Sequence, residues 1–208
     1  MDEPILLSGH TVELRMPQES DVLENNWHHW YNDYSRTRFN NHGVFPISRR
    51  QELAFVQAAS TQSDSIMLAV VEKATQRLLG NVSLQNIDLL NRRCYLSITL
   101  GEDSPITANI EAFGLMTEHA FMRLNMNRVE AMTHENLLTL VDMMSIFGYV
   151  KEGRGRKYFL KDNKWADSIM FSVLADEYFA CRAARNNYVL FKTQDELYDA
   201  SKAVLRDQ

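Results

Sequence analysis

Between residues 94 and 124 the hydrophobic pattern changes period once, across a short polar turn. In residues 94–100, Tyr95, Ser97 and Thr99 fall on one face and Leu96, Ile98 and Leu100 on the other, so the run is a strand with one buried face. Phe113, Met116, Ala120, Phe121 and Leu124 then recur at the spacing of one apolar helix stripe. Ser104 and Pro105 give the start signal: serine caps free backbone donors, and proline at the first helical position gives up a donor that was unpaired anyway. A strand feeding a helix in this way is a common ligand position, because the first N–H groups of the helix favour an anion.

The flanking sequence supplies the rest of a sheet. Residues 5–16 read as two short extended pieces around Gly9 and His10, together the first strand. Residues 65–72, 78–87 and 94–100 are joined by short polar turns, as in an antiparallel meander. A further strand is expected at 128–133, an apolar helix at 137–147 stopped by Gly148, and two strands at 149–160 and 165–174. Ahead of the meander, residues 21–34 have helical spacing in Val22, Asn26, Trp30 and Tyr31. Residues 40–47 read as a loop, and Ser48 caps a helix whose stripe is Leu53, Phe55, Val56 and Ala59. Near the end, Thr193 and Glu196 form a capping-box pattern ahead of the stripe Leu197, Ala200, Val204 and Leu205. That helix is expected to pack on the same core, with a dimer contact as the alternative. The expected fold is a single α/β domain with a mixed, mostly antiparallel sheet of six or seven strands flanked by helices. Its main unit spans residues 1–178, with a helical extension over 179–208.

Several classes are excluded at this level. The net charge of −5 offers no basic footprint for nucleic acid. No run reaches the roughly 18 apolar residues a membrane span needs, and the first residues lack the pattern of a secretory signal, so a cytoplasmic protein with no membrane partner is expected. Cys94 and Cys181 stand far apart without metal-ligand spacing, so free thiols and no metal are expected. No zinc signature, Walker turn, dinucleotide fingerprint or serine-nucleophile elbow is present.

Gly80-Asn81-Val82 with Ile87-Asp88 and Asn91-Arg92, the run Leu124-Asn125-Met126-Asn127-Arg128-Val129-Glu130, Phe147-Gly148-Tyr149 with Lys151-Glu152-Gly153 and Arg156, and Asn163-Lys164-Trp165 with Asp167 follow one another along this order of elements. In words as well as order the chain resembles the GNAT superfamily of acetyltransferases. Trp30-Tyr31-Asn32-Asp33 and His42-Gly43-Val44-Phe45-Pro46-Ile47 are similar to the branch holding ribosomal-protein N-terminal and amino-sugar acetyltransferases. The resemblance implies acetyl-CoA as co-substrate, its pantetheine arm along Ile98, Thr99 and Leu100. It places the pyrophosphate on the turn that opens the central helix. In the family that turn reads Q/R-x-x-G-x-G/A; here Thr107 and Asn109 stand in the glycine places, Ala108 lies between them and Pro105 removes one donor. Met144 stands where family members often carry a proton-donating tyrosine, and Asn136 stands near the family's asparagine.

The implied activity is N-acetylation of a primary amine by direct attack on the thioester. The acceptor would be an amino sugar, free or nucleotide-linked, or a peptide amino terminus. His134 and Glu130, flanking the strand after the central helix, are the candidate bases, since a carboxylate or imidazole takes a proton from an attacking ammonium. Trp30, His29 and Asp88 are expected around the acceptor, and Arg92, Arg93, Arg154, Arg156 and Lys157 are candidate phosphate contacts. The alternative is a degenerate domain of this family, without catalysis, serving as a binding or assembly module.

Overall fold

The computed structural model describes residues 4–25, 27–40, 42–59, 62–101, 103–185, 187, 191 and 193–206, with side chains as far as 202. The strands are β1 (Ile5–Ser8), β2 (Val12–Arg15), β3 (Ile66–Glu72), β4 (Leu78–Asp88), β5 (Arg93–Leu100), β6 (Arg128–His134), β7 (Val150–Lys161) and β8 (Lys164–Leu174). They form one sheet in the order β1-β2-β3-β4-β5-β6-β8-β7, antiparallel throughout except between β5 and β6. Eight strands replace the expected six or seven, because the extended pieces around Gly9 and His10 pair with each other, Leu7 opposite Leu14 and Ser8 opposite Glu13.

The helices are α1 (Glu19–Leu23), α2 (Trp27–Asn32), α3 (Tyr34–Thr37), α4 (Arg49–Ala59), α5 (Ile106–Met122), α6 (Leu138–Ile146), α7 (Ala175–Ala184) and α8 (Gln194–Arg206). On one face of the sheet, Leu14, Leu68, Val70, Val82, Leu84 and Leu96 pack with Ile110, Phe113, Met116 and Phe121 of α5, Met143 and Met144 of α6, and Leu197 of α8. On the other, Trp27, Tyr31 and Val56 cover Met67, Ala69 and Val71. Both faces of β3 are therefore buried, which is why its sequence is an unbroken apolar run. Each fully buried Leu, Ile or Phe in these layers contributes on the order of 1.5–3 kcal/mol of transfer free energy.

α5 is buried on almost every side, and with it a carboxylate. Glu111, 0% exposed, accepts hydrogen bonds from the backbone N–H groups of His10 (2.5 Å), Thr11 (2.7 Å) and Val12 (3.2 Å) and from the Thr11 hydroxyl (2.6 Å). It pins the β1–β2 turn to the helix.

Three local expectations change. Residues 21–34 are not one helix: the Asn32 side chain bonds both the N–H and the C=O of Ile47 (2.7 Å each), and Asp33 caps α3 by accepting from Ser35 N–H (2.9 Å). Those side chains compete with the helix for backbone partners. Ser104 does not cap α5. Pro105 is the N-cap, and its carbonyl accepts from Ala108 (3.0 Å) and Asn109 (3.4 Å), while the Ser104 hydroxyl reaches Leu79 O (3.4 Å). Phe55 is exposed, and the buried face of α4 carries Glu52, Val56 and Ala59. The Ser48 cap does form, its hydroxyl accepting from Gln51 N–H (3.3 Å) while the Gln51 side-chain Oε1 accepts from Ser48 N–H (2.9 Å). Glu196 N–H likewise donates to the Thr193 hydroxyl (3.2 Å). Asn26 and the side chains of Val204 and Leu205 lie outside the described residues. Among the described residues no helix is long and apolar enough to cross a membrane, and no group of His, Cys, Asp and Glu could hold a metal ion.

Candidate active site

The ladder between β5 and β6 holds only at their first residues: Arg93 opposite Arg128, Cys94 opposite Val129 and Tyr95 opposite Glu130. β5 stays paired with β4 as far as Leu100. From Ser97 onward its other edge therefore faces a cleft of about 530 Å3, with Met132, Thr133 and His134 of β6 across the gap. Ile98, Leu100, Ile106, Leu137, Leu140 and Met143 give the cleft an apolar side. Tyr95, Phe39 and Phe159 line it further, and Ser35, Arg36, Arg38, Asn40 and His42 bring in the segment that follows α2.

At the far end the cleft meets the start of α5 through Ser104, Ile106 and Asn109. The N–H groups of Ile106 and Thr107 are the helix-start donors without an acceptor inside the helix. Those of Ala108 and Asn109 are taken by Pro105 O. Thr107 and Ala108 point away from this cleft, lining a second cavity of about 380 Å3 with His10, Lys73 and Tyr198. Asn109 lines the first, its amide folded back on Pro105 O (3.3 Å). Of the two side chains in the glycine places, only Asn109 therefore stands in the cleft.

His134 is buried between Phe39 (5.0 Å between ring centroids) and Phe159 (5.1 Å). Its Nδ1 accepts from the backbone N–H of Asn136 at 3.1 Å. Only an unprotonated nitrogen can do so, so the neutral ring carries its proton on Nε2 and presents a donor. Burial lowers its pKa from the ordinary 6.5, although Glu135 pulls the other way. Asn136 itself is exposed.

Other expected site residues are held elsewhere. Glu130 accepts from Arg128 Nε (2.6 Å) and sits where β5 and β6 are still paired. Asp88 closes the β4–β5 turn, accepting from the Asn91 side chain (2.7 Å) and N–H (2.9 Å), which hold its carboxyl below the usual range. Arg92 donates to Asn125, Arg93 pairs with Asp88 (3.5 Å), and Arg154 pairs with Asp167 and Glu135. His29 is exposed with its ring against His28, and Trp30 lies under the Arg36 guanidinium (5.5 Å). Met144 is fully buried in the core. Of the expected set, the cleft gathers Ile98, Thr99, Leu100, Asn109 and His134. The sequence reading missed Phe39, Arg38 and Phe159; the one available signal was a cationic and aromatic run, Arg36 to Phe39, entering a loop, where binding residues concentrate.

Residues 11–139 match the acetyltransferase (GNAT) domain family. An N-acetyltransferase named p20, from Bacillus licheniformis and described as uncharacterized, is 25% identical over 77% of this chain and 90% of its own length. A GCN5-related N-acetyltransferase from Brucella melitensis superposes with a TM-score of 0.71 at 21% identity, covering 97% of this chain and 96% of its own. Spermidine N-acetyltransferase from Vibrio cholerae, in complex with CoA and spermine, superposes with a TM-score of 0.72 at 15% identity, covering 82% of this chain and 99% of its own. The chain belongs to the acetyltransferase (GNAT) domain family, and so to the enzymes that transfer an acetyl group from acetyl-CoA.

Proposed function

We propose that this protein N-acetylates a primary amine, on an amino sugar or a peptide amino terminus, using the cleft between β5 and β6. The observation that carries the reading is the edge of β5 at Ile98, Thr99 and Leu100, left without a strand on the β6 side and bordered by apolar side chains. An extended, amide-containing arm finds backbone partners along such an edge. Acetyl-CoA supplies the acyl group as an activated thioester. The edge of β5 would hold its arm, and the N–H groups of Ile106 and Thr107 would meet its phosphates, helped by the helix dipole.

The chain's own chemistry follows from His134. A neutral imidazole with its donor on Nε2 stabilises negative charge developing on an oxygen or sulfur without itself taking a proton. Asn136 acts through that ring, fixing the tautomer with its backbone N–H. The Phe39 and Phe159 rings, packed on either side of His134, would limit water beside that donor. An amine acceptor agrees with the solved spermidine N-acetyltransferase that shares the fold.

A second reading, a binding or assembly module that has lost catalysis, is favoured by Asn109 in the cleft and by Pro105 at the helix cap. Calorimetric titration with acetyl-CoA separates the two. Saturation below about 100 micromolar, worth more than about 5 kcal/mol, supports the enzyme. Absence of binding at millimolar ligand overturns it.

A further inference from the structure

We infer that the acceptor is a polyhydroxylated amine, an amino sugar and not a peptide amino terminus, and that the Ser97 and Thr99 hydroxyls set this specificity by pairing with its ring hydroxyls. The inference rests on the proposed acetylation of an amine in this cleft and chooses between its two acceptors. Ser97 and Thr99 are half-buried, and both line the cleft. They lie on one face of β5, two residues apart. Among the described residues neither hydroxyl has a hydrogen-bond partner.

Exposure to water does not account for the polarity of this surface. Across the sheet, Met67 lies opposite Ser83 and Ser83 opposite Ser97, while Ala69 lies opposite Asn81 and Asn81 opposite Thr99. On β3 the shared face is apolar and packs under Trp27, Tyr31 and Val56. On β4 it turns polar although it is still buried, with Ser83 4% and Asn81 7% exposed. Both have partners: Asn81 Nδ2 donates to the Tyr31 hydroxyl (2.5 Å), and the Ser83 hydroxyl accepts from Gln85 Nε2 (2.9 Å). Buried polar groups are kept where they are paired. The two rows end on β5, at the cleft, in hydroxyls left for a ligand.

A hydroxyl both donates and accepts, so its natural complement is another hydroxyl. Residues two apart on a strand are separated by about 6.6 Å, a span that one pyranose bridges with two of its hydroxyls. Tyr95, next on the same face of β5, and Phe39 add aromatic rings to the cleft, against which the C–H face of a sugar can lie. A peptide has other needs. Its backbone is satisfied along a strand edge, and the free edge in this cleft, at Ile98 to Leu100, is the one assigned above to the arm of acetyl-CoA. Side chains leave the face of a strand and backbone groups leave its edge, so Thr99 can serve the sugar with one and the co-substrate with the other. The methylene chain of a polyamine would leave both hydroxyls to water.

The test follows thiol release from acetyl-CoA with glucosamine or galactosamine, whichever turns over faster, with the deoxy analogues of that sugar that each lack one hydroxyl, and with alanyl-alanine amide and spermidine. The sugar should exceed the dipeptide amide and spermidine at least about tenfold in kcat/KM, because a site that pairs hydroxyls rejects acceptors without them. At least two deoxy analogues should lose about threefold to tenfold, the effect of one hydrogen bond. Ser97→Ala and Thr99→Val should each raise the KM of the sugar by a similar factor, and each should bring one deoxy analogue level with the full sugar, a pairing that loss of packing alone would not produce. The Kd of acetyl-CoA should be unchanged in Ser97→Ala. Deoxy analogues that match the sugar in the parent protein, or variants that keep the parent's ratios, would overturn the inference. A preference for the dipeptide amide or spermidine overturns it too, while acetylation of an amine in this cleft stands. Saturable acetyl-CoA binding with no acceptor turned over overturns it and leaves only co-substrate binding, and failure to bind acetyl-CoA removes both.

Discussion

The carboxylate of Glu111 fills the space that a Cβ on Gly9 would need, with Cδ 2.8 Å and both oxygens 2.9 Å from that position. Neither partner can move cheaply, because the turn around Gly9 supplies the donors that hold the carboxylate. Gly9→Ala should cost about 1–3 kcal/mol by overpacking, and Glu111→Ala about 3 kcal/mol or more, since it strands buried N–H groups. In urea unfolding, the double variant should be less destabilised than the two single changes added together. Additivity would mean that the contact carries no strain.

Asn109 and Thr107 separate the two glycine substitutions in effect. Asn109→Gly removes the only one of the two side chains that lines the main cleft, and should tighten acetyl-CoA binding about threefold to tenfold by calorimetry. Thr107→Gly, on the opposite side of the helix start, should leave the affinity unchanged. Each costs the helix about 1 kcal/mol of stability. A gain in affinity from Thr107→Gly alone would contradict the placement.

Glu52 and two histidines should give the stability–pH curve opposing slopes. Burial pushes the Glu52 carboxyl up to about 7 from 4.5, so its contribution is full below 4.5 and is lost as pH rises toward 7. Glu52→Gln should therefore gain about 2 kcal/mol at pH 8, allowing for partial screening, and nothing at pH 4.5. Desolvation lowers His28 and His134 from 6.5, the former helped by His29 and Arg49. Their contribution is full above 6.5 and is lost as pH falls through that value toward the depressed folded pKa. Urea midpoints of Glu52→Gln should accordingly fall between pH 7 and pH 5, where the parent protein is flatter.

His134→Phe keeps a ring between Phe39 and Phe159 but removes the Nε2 donor. Turnover should fall about a hundredfold. His134→Gln, which restores an N–H, should recover at least tenfold of that loss. A His134→Phe variant within threefold of the parent in kcat would assign the ring to packing alone.

The sheet and the central helix were legible because period survives tertiary context. Leu96 and Leu84 pack in the core face where alternation puts them, and Phe113, Met116 and Phe121 lie in the same cluster. The site was legible only in part, because period tells which face a residue takes and not what stands beside it. Glu130 and His134 have the same parity on β6, yet Glu130 lies where β5 is still paired and His134 where the strands have parted. The loop side of the cleft was harder still. Arg38 and Phe39 belong to no periodic run, and their loop meets the rest of the chain through a contact distant in sequence, the Lys161 ammonium of the β7–β8 hairpin donating to His42 O. The motif gives the position of Thr107 but not its direction, which is into the second cavity.

The partial ladder between β5 and β6 has a mechanical consequence. Strands β1 to β5 and β6 to β8 are welded through three residue pairs and a clamp in which Arg92 O accepts from Asn127 (2.6 Å) and Arg128 (3.1 Å). Those two groups of strands are the natural blocks of partial opening. An extended ligand seated on the free edge of β5 would act as a missing strand between them, so occupancy of the cleft would also govern how far the sheet behaves as one body.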